Sequence, residues 1–285
     1  MDFSSEEVLN FIDFCLHEDV GDGDHSSLGA ISATSQAESV VYFKSDGILA
    51  GQTLASVICN KVDPAIQWNS LSNDGEWVNK GVIVSTASGS AQSLLKAERL
   101  LLNFMQRLSG IATTTAHAVE LVKDTNVTLL DTRKTTPGLR YFEKWAVKTG
   151  GGENHRFGLF DMVMLKDNHV DSAGSITEAV NSTWNYLQTN QKDLKIEVET
   201  RNLNEVKEAL KTAKVDRIML DNFTPEACIE AVALIGDECE TEASGGIQMS
   251  NLQSYASTGV DFISLGFLTH SYESMDISMK TKLIK

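Results

Sequence analysis

Two rhythms of apolar and polar positions divide this chain. Ser4-Ser5-Glu6-Glu7 has the spacing of a capping box, and Val8, Phe11, Ile12, Cys15 and Leu16 behind it share one helical face, so the first element is predicted to be a helix. After the turn-rich Gly21-Asp22-Gly23-Asp24, apolar stretches at 40–43, 48–50, 78 and 82–85 are set apart by Asp46-Gly47 and Asp74-Gly75. That spacing predicts a small, mostly antiparallel sheet with a helix or two. A long helix is predicted over 90–108, where Leu94, Ala97, Leu101, Phe104, Met105 and Leu108 form one stripe and Ser109-Gly110 supplies a break.

From residue 127 the rhythm changes. Short apolar runs at 127–130, 162–165, 194–198, 217–220, 240–243 and 262–265 alternate with amphipathic segments, the pattern of parallel βα units. Each run ends on polar, charged or glycine residues: Asp131-Thr132-Arg133-Lys134, Lys166, Glu199, Asp221, Ser244-Gly245-Gly246 and Gly266. In a β/α barrel the C-terminal strand ends gather at one mouth, so groups far apart in sequence are predicted to converge. A single polar strand end is more often a place where the chain reaches solvent. Six that mix cations, acids and glycines favour a site. The closing residues 275–280 alternate weakly and fit a strand returning to the N-terminal sheet.

Composition narrows the class. The chain has 285 residues, 42% hydrophobic and 22% charged, enough for one large or two ordinary domains with a full core. Its 24 Lys and Arg against 39 Asp and Glu give a net charge of −15, which argues against a nucleic-acid or anionic-membrane surface. No segment has the pattern of a signal peptide or membrane span, so a cytoplasmic location is expected. Four cysteines, at 15, 59, 228 and 239, lie far apart without a Cys-x-x-Cys pair, as buried thiols do.

Against that acidic background, residues 133–166 form a basic island with seven Lys or Arg and three acids. Such an island suits a small polyanion. Arg133, Lys134, Arg156 and Lys166 fall at strand ends or on the loop between them. Arginine offers a planar fork to a carboxylate and lysine a compact charge to phosphate oxygens. Arg140, Lys144 and Lys148 recur at helical spacing and read as a solvated face. Ser244-Gly245-Gly246 and Gly266 follow the last two runs, where backbone N–H groups of a barrel commonly bind phosphate. Glu199 and Asp221 have the wrong sign to grip an anion; ribose hydroxyls or a Mg²⁺ that chelates phosphates would suit them, and charge balance for neighbouring cations suits them nearly as well. His155 is placed to donate to a carboxylate, although a lone histidine is more often structural.

Several motifs taken together resemble one family: Asp131-Thr-Arg-Lys-Thr-Thr-Pro-Gly-Leu-Arg140, Gly150-Gly-Gly-x-Asn-His-Arg156 and Leu165-Lys-Asp-Asn-His169, supported by Ala97-Glu-Arg99, Glu197-Val-Glu199, Leu220-Asp-Asn-Phe223 and Glu242-Ala-Ser-Gly-Gly246. They are similar to the signature of the quinolinate phosphoribosyltransferases, also called nicotinate-nucleotide pyrophosphorylases (carboxylating), across nearly the whole chain. His25, where relatives commonly carry an apolar residue, is the one departure.

The resemblance implies an α/β fold: an N-terminal α/β sandwich over 1–110, an open β/α (TIM-like) barrel over 111–271 that bears the active site, and a segment 272–285 returning to the sandwich. It implies a pentosyl-transferring enzyme of NAD biosynthesis that joins quinolinate to phosphoribosyl pyrophosphate with loss of CO2, using Mg²⁺. It also implies a homodimer, or a higher oligomer, in which Arg99 reaches the neighbouring subunit's site. By the same likeness Arg133, His155, Arg156, Lys166 and the neighbour's Arg99 hold the two carboxylates of quinolinate. Thr132, Lys134, Ser244, Gly245, Gly246 and Gly266 contact substrate, chiefly donor phosphates. Glu199 and Asp221 take ribose hydroxyls and Mg²⁺, directly or through water. Lys134, Lys166, Glu199 and Asp221 are the expected catalytic set. A phosphoribosyltransferase of the same fold with another acceptor, or a non-catalytic anion-binding barrel, are the alternatives.

Overall fold

The computed structural model describes residues 2–284; Met1 and Lys285, the outermost residues of the expected domains, lie outside the described residues. In chain order the first elements are α1 (Glu6–Val20), α2 (His25–Ala30), β1 (Gln36–Phe43), β2 (Gly47–Ile48), α3 (Gln52–Val62), β3 (Gln67–Ser70), β4 (Trp77–Val78), β5 (Ile83–Ser90) and α4 (Ala91–Val122). There follow β6 (Thr128–Leu130), α5 (Arg140–Thr149), β7 (Val163–Leu165), α6 (Asp167–Ala173), α7 (Ile176–Thr189), β8 (Ile196–Thr200), α8 (Leu203–Lys211), β9 (Arg217–Asp221) and α9 (Pro225–Ile235). Last come β10 (Glu240–Ser244), α10 (Leu252–Ala256), β11 (Phe262–Ser264), α11 (Phe267–His270) and β12 (Ile277–Leu283). The chain divides into two compact units: one runs through Ala116 and adds Lys148–Gly150 and the segment from Tyr272, and the other comprises His117–Val147 and Gly151–Ser271.

The first unit contains an antiparallel sheet in the order β12-β1-β5-β3 and a two-stranded β2-β4 ribbon. Strand β1 alternates outward and inward residues, burying Ala37, Ser39, Val41 and Phe43, as a sheet with one covered face requires. Ile12, Leu54, Ile58, Leu94, Leu101 and Met105 are buried in the same unit. Ser5 occupies the N-cap of α1, but its hydroxyl makes no capping bond. His25 is exposed and 3.3 Å from Asp22, so it disturbs no packing.

The break predicted at Ser109-Gly110 does not occur, and α4 runs on for 32 residues. The Ser109 hydroxyl is buried, accepting from the Ala50 N–H at 2.9 Å and donating to the Ala50 carbonyl at 3.1 Å. Gly110 is a close-approach glycine: a Cβ there would lie 2.3 Å from the Glu273 carbonyl oxygen. Small size, not a turn, selects glycine at this position.

The second unit is an open parallel β/α barrel, six strands in the order β6-β11-β10-β9-β8-β7. Ser175, Asn202 and Thr224 cap α7, α8 and α9 with their side chains, so these helices start cleanly. Ile196, Val198, Ile218, Leu220, Ala243 and Ile263 are buried apolar positions. The alternate positions are different in kind. The register places Glu197 beside Arg217 and Arg217 beside Glu240; it aligns Met219 with both Glu199 and Glu242, and Asp221 with Ser244. One sheet face therefore carries tiers of polar and charged residues. Among the described residues no helix is long and apolar enough to cross a membrane, and the four cysteines are free thiols.

Candidate active site

The upper tier of that face opens into a cavity of about 410 Å³. Its cationic walls are Arg133 and Lys134 after β6, Arg156 on the loop before β7, and Lys166 after β7. Glu199, Asp221, Ser244, Gly245 and Ser264 come from the ends of β8 to β11 and the turn after β10, and Thr132, His155, Met164 and Met219 complete the lining. Four cations against two acids make the cavity net positive in a chain of net charge −15.

Individual groups are held as a ligand site would need. The Arg133 Nε is buried and has no acceptor among the described residues. Such a donor is costly unless something else accepts from it. Arg156 gives one N–H to the Met162 carbonyl at 3.1 Å; burial first, and then the charge of Arg133, hold its guanidinium below the ordinary value. Two guanidinium groups in mutual repulsion would be relieved by an anion between them. Lys166 Nζ donates to Glu199 Oε2 at 2.7 Å. Burial and then the Glu199 carboxylate raise Asp221, which accepts from Asn222 Nδ2 at 2.7 Å.

The turn after β10 depends on glycine. Gly245 has φ +88°, and a Cβ there would lie 2.4 Å from Asn222 Oδ1. Ser244 and Ser264 hydroxyls meet at 3.0 Å. The Lys134 N–H donates to Thr132 Oγ1 at 3.0 Å. Of the residues expected to meet, Gly246 and Gly266 are not part of the lining, Gly246 being exposed and Gly266 packed near the Lys134 side chain, and Arg99 is exposed on α4 of the first unit.

Two expectations need correction. Lys144 is no solvated face: it is fully buried, bonded to Asp131 and donating to the His155 carbonyl at 2.9 Å. Arg140 is half-buried and reaches Thr135 Oγ1 and the Phe157 and Arg133 carbonyls, bracing the loop that carries Arg133. Spacing of four cannot distinguish a cation facing water from one facing a buried acid thirteen residues away. Lys148 alone of the three is exposed.

His155 lines the cavity as expected and also faces buried acids. Its Nδ1 accepts from the Arg156 N–H at 2.7 Å, and Nε2 faces inward, 3.1 Å from Glu197 and 3.3 Å from Glu242. Nδ1 is thus hydrogen-bonded within the protein, while Nε2 lies close to both carboxylates without a well-directed hydrogen bond. Burial works to lower this histidine, but the two carboxylates outweigh it and push it up to about 9. Glu197, Glu242, Arg217, Asp131 and Lys144 carry no assignment from strand ends alone. The signal available for the acids was an acid in mid-strand, as in Glu197-Val-Glu199 and Glu240-Thr-Glu242.

Comparison with known proteins decides the family. The models of the quinolinate phosphoribosyl transferase N-terminal and C-terminal domains match residues 24–109 and 111–280. The chain belongs to the quinolinate phosphoribosyltransferase family. It is 44% identical over 289 residues to quinolinate phosphoribosyltransferase [decarboxylating] 1b of Nicotiana tabacum, covering 96% of this chain and 82% of that one. It is 43% identical over 266 residues to the probable nicotinate-nucleotide pyrophosphorylase [carboxylating] of Bacillus subtilis, covering 93% and 90%. The crystal structure of NadC from Streptococcus pyogenes superposes with a TM-score of 0.94 at 37% identity over the full length of both chains. For this family member, then, the cavity is the natural place to look for phosphoribosyl transfer.

Proposed function

We propose that the chain transfers the phosphoribosyl group of phosphoribosyl pyrophosphate to quinolinate and releases pyrophosphate and CO2, forming nicotinate mononucleotide for NAD biosynthesis. The observation that carries this reading is one cavity with two mutually repelling guanidinium groups on one side, Arg133 keeping a buried Nε without an acceptor among the described residues, and two mutually repelling acids on the other. Arg133, Arg156 and Lys166 take the two carboxylates, with Arg99 contributed by the partner subunit of a homodimer. Lys134, Thr132, Ser244 and the N–H groups of Gly245, Gly246 and Gly266 take donor phosphates. Glu199 and Asp221 take the ribose hydroxyls.

Divalent-cation binding fits this donor set. Asp221 is raised partly by Glu199, so the two carboxylates repel each other, and a cation is the group that relieves such a pair. Glu199 and Asp221 would hold Mg²⁺, directly or through water; when bound, it supplies charge neutralisation for the departing pyrophosphate.

The pyridine nitrogen attacks the ribosyl C1 as the C1–O bond to pyrophosphate breaks, with oxocarbenium character that the acids beside the ribose stabilise. The C2 carboxylate then leaves as CO2, its bonding pair held by the cationic ring until C2 takes a proton. The chain's own contribution is to bring two polyanions together in a fixed orientation and to meet developing charge with groups already in place. No covalent enzyme intermediate is required. The reaction is assigned to the cytoplasm.

Incubation with carboxyl-labelled quinolinate, phosphoribosyl pyrophosphate and Mg²⁺ tests the proposal. Labelled CO2 and pyrophosphate should appear in equal amounts. Pyrophosphate without labelled gas would point to a different acceptor chemistry, and release of neither would remove the catalytic reading.

A further inference from the structure

The two guanidinium groups assigned to the acceptor stand on separate connections, Arg133 between β6 and α5 and Arg156 between α5 and β7. Neither connection has the stiffness of a strand or a long helix. The charge of Arg133 also disfavours that of Arg156, so like charge pushes the two side chains apart. A ligand that must engage both needs their separation set in advance.

One side chain bonds to both connections. Arg140, the first residue of α5, donates from Nη1 to the Phe157 carbonyl at 3.1 Å, from Nη2 to the Arg133 carbonyl at 3.4 Å and from Nε to Thr135 Oγ1 at 3.0 Å. Phe157 directly follows Arg156, and the second carbonyl belongs to Arg133 itself. A guanidinium is planar and its N–H directions are fixed, so three bonds from one fork set a distance between two backbones. Arg140 does not line the cavity, which leaves the fork to the protein.

Helix α5 is a firm base for it. One turn beyond Arg140, Lys144 is fully buried against Asp131 and donates to the His155 carbonyl at 2.9 Å. The buried Glu143 accepts from the Thr136 N–H at 3.0 Å. The neighbouring Lys134 has a different anchor: its carbonyl accepts from the buried Thr269 hydroxyl of α11 at 2.9 Å. Adjacent residues of one turn are therefore held by separate elements, Arg133 by α5 and Lys134 by α11.

We propose that Arg140 is a positioning residue: it sets the separation of Arg133 and Arg156, and through it the preference of the site for an acceptor with two adjacent carboxylates over one with a single carboxylate. This rests on the assignment of both arginines to quinolinate made above. A single carboxylate can sit on one guanidinium whatever the spacing. Two carboxylates gain from the second contact only when the geometry lets both guanidinium groups reach at once.

The test combines calorimetry for quinolinate, ligand-detected NMR titration for nicotinate and steady-state kinetics, all on the full-length protein. Arg140→Met should weaken quinolinate binding and raise its KM roughly tenfold, with nicotinate binding and KM for the phosphoribosyl donor within about twofold of wild type. Arg140→Lys keeps the charge but loses the fork, and should behave like Arg140→Met. Thr269→Val should show the opposite split, a raised donor KM with quinolinate within about twofold of wild type. An unchanged ratio of quinolinate to nicotinate affinity in Arg140→Met overturns the inference. So does loss of both substrates together, which would make Arg140 a general support of the fold, and so does full recovery in Arg140→Lys, since charge alone would then suffice. If wild type binds quinolinate without turnover, the proposed function falls and the binding comparison still judges Arg140. If wild type binds no quinolinate, the assignment of Arg133 and Arg156 falls and takes this inference with it.

Discussion

Two buried charge clusters meet at residue 155, and they are built on opposite principles. Around Asp131 nearly every group is matched: Lys144 and the His155 N–H share one carboxylate oxygen, and Asn154, with its amide turned to suit both ends, donates to the other at 2.8 Å and to the Lys144 carbonyl at 2.9 Å. Around Glu197 and Glu242 the matching is incomplete: three carboxylate oxygens and His155 Nε2 have no well-directed partner among the described residues. The contrast teaches that a buried charge can be used for stiffness or for adjustability. A saturated network fixes the backbone of the His155-Arg156 loop, whereas an unsaturated one leaves a proton free to be assigned.

The harshest way to break the contrast is Lys144→Met, which strands Asp131 without its counter-ion. Unfolding free energy by chemical denaturation should fall by about 3–5 kcal/mol. Loss of less than about 1 kcal/mol would show that the pair is no structural fixture.

Arg133→Ala sharpens the contrast from the side of function, since Arg133 Nε resembles the acids in being buried and unpartnered. Here kcat/KM for quinolinate should drop roughly 100-fold, about 2.7 kcal/mol, while the melting temperature holds or rises. Unchanged kinetics would remove Arg133 from the site.

The smallest effect concerns pH. Glu197 is raised in the folded state from 4.5 to about 7 and His155 from 6.5 to about 9. Each binds its proton more tightly when folded, so its stabilisation is complete below the ordinary value and is lost as pH rises through the folded one. Stability should therefore decline from pH 5 to 8. Glu197→Gln should flatten that decline by an amount on the order of 1 kcal/mol, because a tenfold change in proton affinity is worth about 1.4 kcal/mol. A wild-type profile that rises over this interval would contradict the burial argument.

Much of this was legible in the chain. The six apolar runs from residue 127 are strands β6 to β11, because a parallel strand covered by helices must be apolar on its outer face. Strand ends announced Arg133, Lys166, Glu199 and Asp221, since position in the βα period also fixes position in space. Three things were hidden. Ser109-Gly110 carries the letters of a helix end and acts as a packing surface, a distinction that needs the Glu273 carbonyl. Lys144 has the spacing of a solvent-facing cation, and only the fold brings Asp131 to it. Arg217 and Glu242 sit on neighbouring strands two positions out of register, and only the folded sheet brings the arginine diagonally to that acid.

Strand β12 pairs along the whole of β1 although the two stand at opposite ends of the chain. During synthesis, β1 leaves the ribosome with one edge open and must wait for residues 277–283. At about 5–20 residues per second that delay is roughly 10 to 50 s. A nascent chain with an uncovered strand is open to pairing with its neighbours on the same polysome, so completion of this sheet is the step at which folding helpers have the most to do.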